Sequence, residues 1–410
     1  MNKKKIINDP VYGFISIPTD LVFDLVEHPY FQRLRYIKQL GMTHLVYPGA
    51  LHTRFHHAIG AMHLMVMAIE TLRNKGHFIS SDEEEAVIIA ILLHDIGHGP
   101  FSHALEVSIV EGISHEDISS MLMNKLNKQF DNRLNLAINI FNGTYHRKFL
   151  HQLVSGQLDM DRMDYLNRDS FFTGVTEGVI NSDRIIKMLN IKDDHIAIEE
   201  KGIYSVEKFL IARRLMYWQV YLHKTVIAAE HLLAKILKRS RELALKGKSV
   251  FTTPALDHFL TKPIGRDAFM SEGHHLETFA GLDDTDIMAA VKVWTGHPDF
   301  VLSKLCQDLM HRDLYKVDIT NSPPDKKFIT VLIERASKKY HITLDEAAYF
   351  VFKDTIRNNA YNSGDGDIRI LMKDGTVKDI TAASDNSNLE ALAKTVKKYI
   401  LCYNKELVNE

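Results

Sequence analysis

Residues 91–103 read Ile91-Leu92-Leu93-His94-Asp95-Ile96-Gly97-His98-Gly99-Pro100-Phe101-Ser102-His103. The run starts as the apolar end of a helix and passes without a plain cap into three histidines and an aspartate. Gly97, Gly99 and Pro100 break the helix directly after the His94-Asp95 pair, so His98 and His103 can turn back over the same pocket. Imidazole and carboxylate side by side are ligands that a borderline or hard divalent metal accepts together. A lone His-Asp pair elsewhere would be read as a surface dipeptide. At the end of a buried helix, followed by more histidine at close spacing, it reads as half of a metal site.

Upstream, Ile6 to Ile17 carries Asp9-Pro10 and Gly13 and is expected to be extended and turning. Asp20 to Gln39 has helical spacing interrupted at Pro29, and Gly41 to His52 forms a loop. A helix is expected from Thr53, with Phe55, Ile59, Met62, Val66 and Ile69 facing a core. Ser81 with Glu84 has the spacing of a capping box before the apolar run Ala86 to Leu93. Downstream, Ser114-His115-Glu116-Asp117 looks like a helix start. In Leu158 to Asp169, residues Asp161, Tyr165 and Asp169 recur every four positions, which places them on one helical face. A solvated acidic face is the bland alternative, but the alternating apolar residues imply partial burial, where charge needs partners.

Further on, Ile196 to Ser205 has the look of a hairpin turning at Lys201-Gly202, and Val206 to Leu245 that of one long helix with a kink. Helix starts are expected at Thr253-Pro254 and Asp283-Asp284. Composition shifts at Ser322-Pro323-Pro324. Beyond it come a helix near Leu344 to Phe350, a hairpin from Ile368 to Ile380 turning at Asp374-Gly375, and a last helix over Leu389 to Tyr403. The reading is a mostly α protein: a helical core over residues 1–322 and a small α+β C-terminal region over 323–410.

The totals exclude several classes. With 410 residues, 45% hydrophobic, 25% charged and a net charge of −2, the chain is an ordinary globular protein with no general affinity for nucleic acid or membrane. Cys306 and Cys402 lie far apart, as in a reducing cytosol. The Lys-rich start has no apolar segment behind it, so a cytoplasmic location is expected. There is no phosphate loop and no Gly-x-Ser-x-Gly elbow.

The candidate metal ligands are His57, His94, Asp95 and Asp161, each at the edge of a strongly helical segment. Two imidazoles with two carboxylates suit manganese, iron or zinc, and magnesium less well because it prefers oxygen. In order along the chain, the sequence also carries Ile7-Asn8-Asp9-Pro10, Gln32-Arg33-Leu34-Arg35-Tyr36-Ile37-Lys38-Gln39-Leu40-Gly41, Arg54-Phe55-His56-His57, the His94–His103 stretch and Asp159-Met160-Asp161-Arg162-Met163-Asp164-Tyr165.

Through this series it resembles the HD-domain phosphohydrolases, specifically the deoxynucleoside triphosphate triphosphohydrolases. The likeness is dense from Lys5 to about Asp169 and looser as far as Lys224. Two departures from the mammalian SAM-and-HD-domain enzyme are His56, where that enzyme has an acid, and Arg162, where it has lysine.

The resemblance implies that His57, His94, Asp95 and Asp161 ligate a divalent metal. It implies that His98, His103 and His115 line the phosphates, with His103 protonating the leaving oxygen. Arg54, Arg162, Tyr165 and Arg213 would hold the triphosphate, Gln39 and Asp169 the sugar 3′-hydroxyl, and Leu40 and Tyr221 would crowd a 2′-hydroxyl. Water attacking the α-phosphorus would yield deoxynucleoside and inorganic triphosphate.

Lys5, Asp9, Glu27, Gln32 and Arg35 match positions that bind an activating nucleotide between subunits in regulated members. Glu27 is longer than the family's carboxylate there. Read as helix, Arg35 sits one turn before Gln39, a route from effector to sugar pocket. A homo-oligomer, dimer or tetramer, is therefore expected. The rival readings are an HD phosphodiesterase or nucleotidase acting on another nucleotide, and a nucleotide sensor without turnover. The filled ligand set argues against the sensor.

Overall fold

The computed structural model describes residues 5–101, 112–271, 273–358, 368–385, 389 and 396–408. The protein is mostly helical, and its centre is the helix Ser81–Leu93. From Ala86 to Leu93 every side chain is buried. A helix that is apolar all round can only sit inside, surrounded by others. The helices Arg54–Asn74, Asn135–Phe141 and Lys148–Val154 pack on it, and Met160–Thr173 packs on the other side of Arg54–Asn74. This arrangement brings the starts of Arg54–Asn74 and Met160–Thr173 to the end of Ser81–Leu93, where His94-Asp95 emerges.

The stretch Ile6 to Ile17, expected to be extended and turning, forms an antiparallel hairpin of Ile6–Asp9 with Gly13–Ser16, and Gly13 opens the second strand at φ 74°. The helix starts after Thr53, Ser114, Thr253 and Asp283 are all present. The hairpin at Asp374-Gly375 is present too, as strands Arg369–Leu371 and Val377–Asp379. Cys306 and Cys402 are both buried and unpaired. No helix among the described residues is long and apolar enough to cross a membrane.

Five local expectations need correction. The capping box before Ser81–Leu93 uses Ser80 and Glu83, one residue earlier than its repeat in sequence. The Ser80 amide donates to Glu83 Oε2 at 2.9 Å, and the Glu83 amide to the Ser80 hydroxyl at 3.2 Å. Glu84 turns outward instead and pairs with Arg73. The hairpin near residue 195 joins Leu189–Lys192 to His195–Glu199 and turns at Asp193-Asp194, both in the left-handed region (φ 55° and 59°). That is the two-residue turn whose twist suits a hairpin, and aspartate tolerates it. Lys201-Gly202 instead leads into the helix Ile203–Met216.

The long helix is two. Ile203–Met216 widens into a π-helical turn over Tyr217–Tyr221, and a new helix, Lys224–Leu245, begins after His223. The helical pattern from Asp20 ends at Glu27. After it come only a short turn, Pro29–Gln32, and a 3-10 turn, Arg33–Tyr36; Ile37 is already extended (φ −116°) and Lys38 bridges to Thr53 as in a sheet. No helix connects Arg35 to Gln39.

The chain also ends differently. Val396–Tyr403 is a strand, not a helix, and lies between Lys316–Thr320 and Val351–Asn358. The strand Arg369–Leu371 pairs in parallel with His195–Glu199. Both sheets thus mix strands from before and after the Ser322-Pro323-Pro324 turn.

The register of the Ser80 cap is testable by urea unfolding. Ser80→Ala is expected to lower stability by about 1 kcal/mol, the usual loss for a serine N-cap. Ser81→Ala should change it by less than about 0.5 kcal/mol, as for an ordinary surface position. Equal effects would contradict the register.

Candidate active site

The four candidate ligands come from three helix ends. His57 is one turn into Arg54–Asn74, His94 closes Ser81–Leu93, and Asp95 follows it. Asp161 lies in the first turn of Met160–Thr173, which Asp159 caps by accepting from the Arg162 amide at 2.7 Å. The chain after Asp95 is pressed against the helix His115–Gln129. A Cβ on Gly97 would stand 2.2 Å from His115 O and 2.3 Å from Ser119 N, so only glycine fits. The Ser119 hydroxyl donates to His94 O at 2.7 Å and accepts from the Gly97 amide at 2.9 Å, which pins this turn.

The donor atoms converge. His57 Nε2 is 3.3 Å from His94 Nε2 and 3.1 Å from Asp161 Oδ1. His94 Nε2 is 3.5 Å from Asp161 Oδ1 and 3.4 Å from Asp95 Oδ1, while His57 Nε2 and Asp95 Oδ2 are 3.8 Å apart. Neighbouring ligands on one ion with bonds of about 2.0–2.2 Å are separated by roughly 3 Å, so the set fits a divalent cation.

The far nitrogens fit as well. His57 Nδ1 donates to Asp164 Oδ2 at 2.8 Å, and His94 Nδ1 to Ile91 O at 2.6 Å. Each leaves its Nε2 lone pair facing the cluster, the usual outer arrangement around a metal-binding histidine. Burial alone would lower the His57 pKa, but hydrogen bonds with Asp161 and Asp164 raise it to about 10. Burial works to raise Asp161, yet His57 and His94 hold its carboxyl well below the usual range. The field that favours a proton on His57 favours any cation there.

Behind His57 lies a layer that the sequence reading did not resolve. Arg168, with its side chain fully enclosed, donates to both oxygens of Asp164 (2.9 and 3.0 Å) and to both of Asp9 (2.7 and 3.3 Å). Asp9 also accepts from the Val11 and Tyr12 amides. Asp9, matched in sequence to an effector site, is therefore committed to the buried Arg168. A Cβ on Gly60 would fall 2.0 Å from Asp164 Oδ1 and 2.1 Å from Arg168 Nη2, so this pair also needs a glycine opposite it. The only signal in sequence was an Asp-Arg pair four apart in a half-apolar helix. His56, one of the two departures noted above, accepts from the Thr53 amide and completes the helix cap.

A cleft of about 760 Å³ opens beside the cluster. Asp95, Asp161, Arg54, Arg162, His98, His115, Tyr165, Gln39, Leu40, Asp169 and Tyr221 all line it. The His98 and His115 rings stack at 3.8 Å. Arg54 Nη1 donates to Asp95 Oδ2 at 2.5 Å, and Arg162 Nε to Gly156 O at 2.7 Å. Asp169 accepts from Tyr221 at 2.7 Å and pairs with His52 Nε2 at 2.8 Å, while Gln39 Oε1 is buried with no hydrogen-bond partner among the described residues. Arg213 is set back from the wall, its Nη1 3.5 Å from Gln157 Oε1. His103 lies outside the described residues.

The cleft also uses Lys38, Phe101, Glu116, Tyr217 and Glu230, which sequence reasoning did not assign. Tyr217 and Tyr221 belong to the π-helical turn, a distortion common at functional sites. Phe101, at φ 47°, holds a conformation costly for a bulky residue, about 1–3 kcal/mol.

Of the residues matched to an effector site, Lys5 and Glu27 form an exposed ion pair at 2.8 Å. Arg35 stacks 3.5 Å above the Phe55 ring and donates to Gln32 Oε1 at 2.7 Å.

Such a cluster, held by helix ends and braced from behind, is the centre of an HD domain. The HD domain family matches residues 54–169, and its HD associated region matches 180–252. Over 425 aligned residues the chain is 31% identical to the uncharacterized protein YwfO of Bacillus subtilis, covering 100% of this chain and 94% of that one. It is 33% identical to the deoxynucleoside triphosphate triphosphohydrolase SAMHD1 homolog of Dictyostelium discoideum, over 56% of this chain and 48% of that protein. The crystal structure of a phosphohydrolase from Bacteroides thetaiotaomicron matches with a TM-score of 0.96 and 55% identity, covering 98% of this chain and 100% of that one. The chain belongs to the HD-domain phosphohydrolases.

The brace behind His57 can be tested directly. Arg168→Met leaves Asp9 and Asp164 buried without their cation, at an expected cost of about 3–5 kcal/mol. In whatever fraction folds, Mn2+ affinity by equilibrium dialysis should fall about 10–100-fold, as when an outer partner of a ligating histidine is lost. Unchanged affinity would mean that the brace does not reach the ligands.

Proposed function

We propose that the protein hydrolyses deoxynucleoside triphosphates to deoxynucleoside and inorganic triphosphate. The observation that carries this reading is one cleft lined both by members of the His57–His94–Asp95–Asp161 cluster and by the Gln39–Asp169–Tyr221 group. The first suits a phosphate and the second a sugar hydroxyl. Kinship with enzymes of that name supports the same substrate class.

A manganese, iron, zinc or magnesium ion held by the cluster would supply Lewis acidity toward a phosphoryl oxygen and lower the pKa of water. The chain's own residues do the rest. Arg54 and Arg162 offer planar guanidiniums to the triphosphate, whose charge of about −4 needs several cations besides a metal. Water adds to the α-phosphorus, the bond from that phosphorus to O5′ breaks, and O5′ leaves with a proton. His98, His103 and His115 are the candidates for supplying that proton. Asp169, already oriented by Tyr221 and His52, accepts the 3′-hydroxyl proton, and the Gln39 side chain lies on the same wall to contact that sugar hydroxyl. Leu40 and the Tyr221 ring fill the space of a 2′-hydroxyl, which would be buried without a partner.

Two measurements test the reading. Asp161→Ala should abolish release of inorganic triphosphate from dNTPs and reduce bound metal; full turnover in a metal-free variant would refute it. For wild type, kcat/KM on dGTP should exceed that on GTP by about one to two decades, from roughly 1–3 kcal/mol for an unpaired buried hydroxyl. Equal values would mean that the sugar pocket has been misread.

A further inference from the structure

Among the ionisable side chains that line the cleft and that this reaction does not use is an acid on the wall next to Gly41. Glu230, on the helix Lys224–Leu245, is half-buried and lines the cavity. Among the described residues nothing hydrogen-bonds or ion-pairs with its carboxyl, and burial pushes its pKa up to about 7. A carboxyl placed so without a partner is costly unless something else fills its lone pairs.

Its position tells what that could be. Gly41 follows the sugar-contact residues Gln39 and Leu40. Glu230 Oε1 lies 3.6 Å, and the Phe101 ring edge 3.8 Å, from the point where a Cβ on Gly41 would sit. Lys38 Nζ is 5.7 Å from the centre of the same Phe101 ring, with Asp284 its nearest acid at 3.6 Å. A carboxylate, an aromatic ring and an ammonium therefore meet next to the sugar position. A nucleobase attached to that sugar would reach them.

We propose that Glu230 selects guanine, its two oxygens accepting the N1–H and the 2-amino N–H while Lys38 faces O6. This rests on the dNTP reading of the cleft. Guanine alone presents two adjacent donors on one edge with an acceptor beside them. Adenine and cytosine set a single amino group next to a ring-nitrogen acceptor, which would face the carboxylate lone pairs. Thymine sets its one N–H between two carbonyls. Guanine is thus the base that leaves neither carboxylate oxygen unpaired, and a site with buried polar groups rejects analogues that leave them so.

The test compares dGTP with dITP, which lacks only the 2-amino group, for triphosphate release by wild type and Glu230→Gln. Wild type is expected to favour dGTP by about tenfold or more in kcat/KM, the scale of one well-placed base contact. In Glu230→Gln, where an amide N–H confronts a guanine N–H, the ratio should fall close to one. A loss of fold would lower both rates together and leave the ratio; melting temperature and metal content check this. Equal use of dGTP and dITP by wild type overturns the proposal even if the variant does not fold. So does a wild-type ratio retained by a folded Glu230→Gln. Release of no triphosphate from any dNTP overturns the underlying reading instead, a result distinct from hydrolysis without base discrimination.

Discussion

The site hangs on a buried guanidinium. Arg168 lies between Asp9, from the N-terminal hairpin, and Asp164, one turn before it on the same helix, and Asp164 in turn fixes the His57 ring. Two carboxylates enclosed in protein would not both stay ionised without that cation. The arrangement ties the first strand, the helix Arg54–Asn74 and the helix Met160–Thr173 together through charge-assisted hydrogen bonds. It therefore sets the orientation of the first candidate ligand from residues that never touch substrate. Gly60 belongs to the same constraint, because no side chain there would leave room for the pair.

In front of His57 the electrostatics are reversed. Behind it, one guanidinium serves two carboxylates; in the cluster, Asp95 and Asp161 face two imidazoles, and Arg54 reaches Asp95 from the cleft side. Acids draw a cation to one spot, and Arg54 and Arg162 stand beside it on the cleft wall. The separation is produced by helix ends, which let residues distant in sequence approach within a few ångströms while their helices keep a dry core. The turn at Gly97 is the narrowest part of this design, with backbone in contact with backbone.

The cleft wall further from the cluster is less regular. The π-helical turn Tyr217–Tyr221, the 3-10 turn Gly41–Leu45 and the left-handed Phe101 all lie on it. Regular helices present side chains at fixed angles; these distortions aim Tyr221 at Asp169 and open the space that Glu230 faces. This wall is thus irregular backbone placed on a rigid helical frame.

The sequence by itself determined the helical class and the central apolar helix, and it singled out the candidate ligands. Residues 86–93 have no polar face to expose, and His94-Asp95, His57 and Asp161 stand where helices begin or end, so spacing alone marked them. It also placed Gln39, Asp169 and Tyr221, through likeness to a family. Tertiary structure decided what depended on partners remote in the chain. Val396–Tyr403 became a strand because Lys316–Thr320 and Val351–Asn358 flank it, against a helical pattern that begins near Leu389. Asp9 became a partner of Arg168 and not a surface residue, and Glu230, unremarkable on a helix of charged and apolar residues, became an acid of the cleft wall facing Gly41. Local periodicity reports which face of an element is buried; it carries no information on what that face meets.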